Sequence, residues 1–177
     1  MVDLSFRFDR WFETLPSSPK DRGRVQRCVL RTGPGQRSTP ASIELVAGEG
    51  ALGDVWKVHR YRAPGNEISL INVHVLRSLA RGDEDRMPLS GDNLQVDLDL
   101  SVANLPPGTE LRVGQAVLRV GSLPHQPCRH FAERFGKLAV KKVARANRLG
   151  RRGRGVLCEI VRGGKVSVGD EIAVERP

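Results

Sequence analysis

The chain has 177 residues, with 29 Lys+Arg against 20 Asp+Glu for a formal net charge of +9, and 39% hydrophobic residues. That composition supports one domain with a buried core and excludes a disordered chain. No run of 18 apolar residues exists, so no membrane-spanning helix is expected, and the start, MVDLSFRFDRWFETL, carries charges where a secretory signal has its apolar region. With no export signal, Cys28, Cys128 and Cys158 read as reduced thiols of a cytoplasmic protein. The charge excess is local: residues 129–154 hold ten basic residues and the single acid Glu133, while the rest of the chain balances. A local excess asks for a local anionic partner.

In chain order, residues 1–23 read as an N-terminal extension whose Phe6, Phe8, Trp11 and Phe12 could pack on a body spanning 24–177. RVQRCVLR (24–31) alternates as a strand with one mixed face, Val25, Arg27 and Val29 against Gln26, Cys28 and Leu30, and Thr32-Gly33-Pro34-Gly35 ends it. SIELVAG (42–48) is a second strand. EISLIN (67–72) is a short buried strand leading into a helix, NVHVLRSLARG (72–82), with Gly82 as its stop. NLQVDLDL (93–100) has the period of a half-buried strand, and ELRVGQAVLRVG (110–121) reads as two strands joined at Gly114-Gln115. GKLAVKKVARANR (136–148) is a helix with Lys137, Lys141, Arg145 and Arg148 on one face and Ala139, Val140, Val143 and Ala144 on the other. GVLCEIVR (155–162), the Gly163-Gly164 turn and KVSV predict a final hairpin, closed by DEIAVE. About eight strands, two or three helices and frequent Gly/Pro turns predict a mainly β, barrel-like fold with inserted helices.

The stretch PHQPCRHFAERFG (124–136) is the richest in chemistry. Pro127 suits the first turn of a helix, which places Cys128 among unpaired N–H groups, with Arg129 and His130 adding positive charge. Each influence favours a thiolate, so Cys128 is the candidate reactive thiol, against the alternative of a buried small hydrophobe. Cys28 and Cys158 lie in strand patterns and read as core. His125, Cys128 and His130 form an H-x-x-C-x-H pattern, but structural zinc needs four ligands, so no zinc is expected. No phosphate-loop motif is present, and GRRGRG (150–155) lacks the dinucleotide-fold spacing. With 5% aromatic residues the chain lacks stacking platforms for single-stranded nucleic acid, leaving only electrostatic contact through 137–154.

Six segments in order carry a resemblance: RSTPASIELVAGEGALGD (37–54), EISLIN (67–72), LSGDNLQVDLDL (89–100), LPPGTELRVGQAVLRV (105–120), PHQPCRHFAERFG (124–136) and RGRGVLCEIVRGGKVSVGDEI (152–172). Together they resemble the MOSC domain, the C-terminal region of molybdenum cofactor sulfurases, and in particular its small stand-alone members. The resemblance implies a β-barrel of the kind found in the pyruvate kinase β-barrel domain. It also implies one functional cysteine, matched by Cys128, that carries sulfur as a persulfide or ligates molybdenum in a pterin cofactor. The family's G-[DE]-N element is matched by Gly91, Asp92 and Asn93, making Asn93 a second site candidate, with a turn role as its alternative. His125, Arg129, Lys137, Arg145, Arg148 and Arg154 are the expected surroundings of the cofactor's phosphate. No pyridoxal phosphate is expected, because that group belongs to the separate desulfurase domain. His59 has no secure counterpart in the family and is left out of the site.

Three functions follow as expectations. The first is molybdenum cofactor binding or sulfur carriage through Cys128, with a cysteine desulfurase as a partner. The second is reduction of N-hydroxylated compounds with an electron-transfer protein, since no flavin or iron–sulfur motif is visible. The third is a basic module for RNA or another polyanion through residues 137–154.

Overall fold

The computed structural model describes residues 6–58 and 62–176; His59 lies outside them. Seven strands close a barrel: β1 (Arg22–Cys28), β6 (Ile68–Asn72), β7 (Leu94–Asp97), β8 (Glu110–Val113), β9 (Ala116–Val120), β10 (Val156–Arg162) and β12 (Glu171–Glu175). Their order around the barrel is β1–β12–β8–β9–β10–β6–β7, returning to β1. Among the described residues every pairing is antiparallel except β6 with β7. A parallel pair needs a long crossover. Residues 73–93 supply it, with helix α2 (Val73–Leu79) and the 3-10 helix Glu84–Ser90.

Side chains fill the barrel, among them Val25, Leu70, Leu94, Leu111, Leu118 and Ile172. A second core lies under the helices, where α2 meets α3 (Arg129–Phe135) and α4 (Lys137–Arg148) around Leu76, Met87, Phe131 and Val143. Helix α1 (Phe6–Glu13) covers that core's edge. Trp11 and Phe12 pack against it, the Trp11 Nε1–H donates to Ser78 Oγ at 2.8 Å, and Asp9 takes two 2.8 Å hydrogen bonds from Arg145. Outside the barrel, β2 (Leu30–Gly33) and β3 (Gln36–Ser38) form a ribbon, and β11 (Gly164–Ser167), β4 (Ser42–Val46) and β5 (Gly50–Ala51) form a small sheet.

The mainly β barrel is as the sequence predicts, and the β8–β9 hairpin turns at the predicted glycine. Four details differ. The 24–31 alternation breaks at a register shift between Val25 and Arg27, so Cys28, not Arg27, joins Val25 inside the barrel. Strand β7 is not half exposed: Gln95 is fully buried, its amide donating to Met87 O at 3.1 Å under the crossover. The predicted final hairpin does not form, because β11 pairs with β4 instead of β10. A Cβ at Gly163 would collide with the Leu45 carbonyl oxygen, so this glycine marks a close crossing of two strands, not a tight turn. Helix α3 begins at Arg129, so Pro127 and Cys128 precede its first turn instead of lying in it, and Cys128 is its N-cap with extended backbone, φ −96° and ψ 175°.

Candidate functional site

A cleft of about 780 Å³ opens between the β2–β3 ribbon and α3, within the size range of sites for small organic ligands. Its walls carry Arg31, Arg37, Cys128, His130, Arg134 and Arg154, and its floor carries Ser69, Asp92 and Asn93. The ribbon explains two of the cations. Its register sets Arg31 directly across from Arg37, a like-charged cross-strand pair that by itself destabilises a sheet. Arg31 is compensated: Nε and Nη2 donate to the buried Asp54 carboxylate, at 3.1 and 2.6 Å to Oδ1. Among the described residues Arg37 makes no ion pair, Asp54 acting on it only at a distance, and its Nη1 donates to the neighbouring Gln36 carbonyl at 2.7 Å. Burial, then the charges of Arg134 and Arg31, hold the Arg37 guanidinium below its ordinary pKa. An anion placed here would relieve all three effects.

The floor is a hydrogen-bonded plate. Asn93 Oδ1 accepts from Ser69 N at 3.2 Å and Ser69 Oγ at 3.3 Å, while its Nδ2 donates to Val29 O at 3.3 Å and Asp54 Oδ2 at 3.1 Å. Its amide is fully engaged, so Asn93 ties together the β1–β2 junction, β6 and the Asp54–Arg31 pair. Beside it the buried Asp92 accepts from Arg154 Nη1 at 2.8 and 2.6 Å. Burial, the largest single influence, pushes the Asp92 carboxyl up, but the surrounding charges and hydrogen bonds, with Arg154 first among them, together outweigh it and leave it below the ordinary 3.8. Arg154 also stacks over Phe131, 4.8 Å from the ring centre, which fixes its plane.

His125 stands next to this pair with Nδ1 at 3.7 Å from Asp92 Oδ1, too far for a hydrogen bond. Burial and then repulsion by Arg154 push its pKa down to about 3, so the imidazole is neutral near pH 7. Among the described residues, three buried side-chain nitrogens lack a partner: Arg37 Nε, His125 Nδ1 and Arg154 Nε. All three belong to residues that line this cleft. Such atoms ask for a ligand or ordered water.

The structure therefore brings Cys128, Asn93, His125 and Arg154 to one cleft. It does not bring Arg129, Lys137, Arg145 or Arg148 there. Arg129 is 89% exposed and pairs with Glu133 at 2.8 Å. Lys137 is exposed at the start of α4. Arg145 is engaged by Asp9, and Arg148 faces a separate groove. Sequence reasoning missed Arg31, Arg37, Arg134 and Asp54. The signal for two of them was present, since RTGPGQR (31–37) is a glycine turn flanked by arginines that a tight ribbon must set side by side.

Cys128 is an exposed free thiol at the rim, with no side-chain cap hydrogen bond, whereas Cys28 and Cys158 are buried. Burial raises Cys28 to about 11 and Cys158 to about 12, which keeps both protonated. Among the described residues, no three His, Cys, Asp or Glu side chains converge to hold a metal by themselves.

The MOSC domain family model matches residues 59–173. The chain belongs to the MOSC domain family. The barrel of this MOSC domain is similar to the crystal structure of YuaD from Bacillus subtilis, with TM-score 0.63 and 20% identity over 86% of this chain and 95% of that one. It is also similar to YiiM from Escherichia coli, with TM-score 0.58 and 21% identity over 87% and 70% of the two chains. YiiM from Geobacillus stearothermophilus gives TM-score 0.60 at 14% identity, covering 87% and 75%. At these identities the likeness is one of fold. No curated protein matches the chain significantly. Among the described residues no helix is long and apolar enough to cross a membrane.

Proposed function

We propose that the Cys128 cleft binds a molybdenum–pterin cofactor, with the Cys128 sulfur as the protein's ligand to the metal. The observation that carries this reading is the meeting of an exposed thiol with an under-compensated arginine cluster in one cleft of about 780 Å³. The donor set fits the group. Thiolate is a soft ligand suited to a metal whose other donors come from the cofactor, and the partnerless Arg37 Nε and the Arg134 guanidinium suit a phosphate. When bound, the cofactor would supply two-electron redox chemistry at molybdenum. Around it, Arg31 and Arg154 stay fixed by Asp54 and Asp92, while the neutral His125 offers a hydrogen-bonding nitrogen at Nδ1. Reduction of N-hydroxylated compounds is the enzymatic form of this reading, and it needs an external electron-transfer protein.

The exposure of Cys128 favours a second reading, sulfur carriage. Its thiolate would attack the outer sulfur of a desulfurase persulfide. The new S–S bond forms on Cys128, the donor's S–S bond breaks, and the donor leaves as a thiolate.

The test uses the full chain produced with the cofactor pathway and, separately, with a cysteine desulfurase and its substrate. Bound molybdenum, pterin fluorescence and cyanide-releasable sulfur are measured on the wild type and on Cys128→Ser. Molybdenum and pterin that fall in Cys128→Ser support cofactor binding, and cyanide-releasable sulfur lost in the same variant supports carriage. A wild type with none of the three signals overturns both.

A further inference from the structure

On the other side of the His125 loop lies a second groove, of about 360 Å³, which shares only His125 and Gln126 with the Cys128 cleft. Its character is different. Val102, Leu123, Pro124 and Ala144 give it an apolar surface, and Val102 and Leu123 are left 43% exposed at its rim. Arg148 and Arg152 give it two guanidiniums, and no Asp or Glu lines it.

The two cations are held differently. Arg152 Nη1 donates to Leu105 O at 2.7 Å and Leu100 O at 3.3 Å, which fixes its direction. Its backbone has φ +47°, a left-handed conformation that a non-glycine residue adopts at a cost. Arg148 makes no hydrogen bond or ion pair among the described residues, and its charge acts only at a distance on Asp9. The wall itself is pinned: Asn147 Nδ2 donates to His125 O at 2.9 Å, and Asn147 Oδ1 accepts from Arg154 N at 3.1 Å. The groove is thus a fixed apolar surface whose positive charge at one side meets no acid among the lining residues, complementary to a molecule that has an apolar body and one anionic end.

We infer that this groove is a second binding site, separate from the Cys128 cleft, for a small organic anion with an apolar body, of the aromatic carboxylate class. A carboxylate on Arg148 and Arg152 would complete two charge-assisted hydrogen-bond donors, while the ring covers Val102 and Leu123.

The test is titration of the isotope-labelled full chain with benzoate, followed by amide chemical shifts, with benzyl alcohol as the uncharged control. Saturable shifts are expected at Ser122, Leu123, Gly155 and Val156, with benzyl alcohol weaker by about tenfold or more. Arg148→Glu, on an exposed side chain, weakens benzoate by at least about tenfold, and Ala144→Trp fills the groove and abolishes the shifts. Cys128→Ser leaves the titration unchanged, whatever it does to cofactor loading. Shifts centred instead on Gly33, Gly91 and Asn93, equal affinity for benzyl alcohol, insensitivity to Arg148→Glu, or no saturable shift overturns the inference.

Discussion

Two regions of this MOSC domain are rich in arginine, and they differ in how the charge is placed. The 129–154 band is dense in sequence, yet it disperses in space. Arg129 faces Glu133, Arg145 faces Asp9, Arg151 faces Glu13, and Arg154 turns inward to Asp92. The Cys128 cleft draws its cations from four separate places, at positions 31, 37, 134 and 154, and leaves part of their hydrogen-bonding capacity open. Charge density along a chain is therefore a poor guide to electrostatic potential. What counts is which positive groups lack a carboxylate once the strands are in register.

The hardest way to break the contrast is to remove the acid under Arg154. Asp92→Asn leaves a buried guanidinium without its counter-charge and should cost about 3–5 kcal/mol in urea unfolding. Replacing both, as Asp92→Leu with Arg154→Met, should recover much of that loss; if it does not, the pair is not the reason for the penalty.

His125 sharpens the same point through pH. Its folded pKa of about 3 lies below the ordinary 6.5, so the unfolded chain binds a proton that the folded chain refuses between these values. Its contribution is fully present above pH 6.5 and is lost as pH falls toward 3, at roughly 1.4 kcal/mol per pH unit. Urea midpoints measured from pH 7 to 4 should fall less steeply in His125→Gln than in the wild type.

Arg37→Gln removes a cation that forms no ion pair among the described residues and on which Asp54 acts only at a distance. Stability should stay within about 0.5 kcal/mol or rise, while inorganic phosphate measured by calorimetry binds about tenfold more weakly. A drop in stability with unchanged phosphate affinity would mark Arg37 as structural.

The band should respond more quietly. The Asp9 carboxyl is held below its usual 3.8 by its hydrogen bonds from Arg145, so this contact is intact above that pH and fails as pH falls below it. Fluorescence of Trp11 in a Trp56→Phe background should report α1 loosening only in that acid range. Smallest of all, Arg129→Ala should change stability by less than about 0.5 kcal/mol, since its partner is exposed.

What could be read in advance follows the same division between local and distant causes. The β8–β9 hairpin and the α4 amphipathic face were legible because each is set by neighbours a few residues apart. Asn93 was legible through its G-D-N motif, although its full engagement with Ser69, Val29 and Asp54 was not. The β11–β4 pairing was hidden, because a di-glycine that permits close strand crossing has the same composition as one that makes a hairpin. The Arg154–Asp92 pair was hidden too, since 62 positions separate its members and only the folded barrel joins them.

The parallel pairing of β6 with β7 ties the cleft to the closure of the barrel. The 73–93 crossover joins those strands, and its final residues, Ser90, Gly91, Asp92 and Asn93, line the cleft, the last two on its floor. Contacts of this kind form slowly relative to hairpins. The seam that closes the barrel and the floor of the pocket are therefore built from one segment of chain. A ligand that binds this floor only in the folded protein would hold the seam closed by mass action, raising stability as its concentration exceeds its Kd.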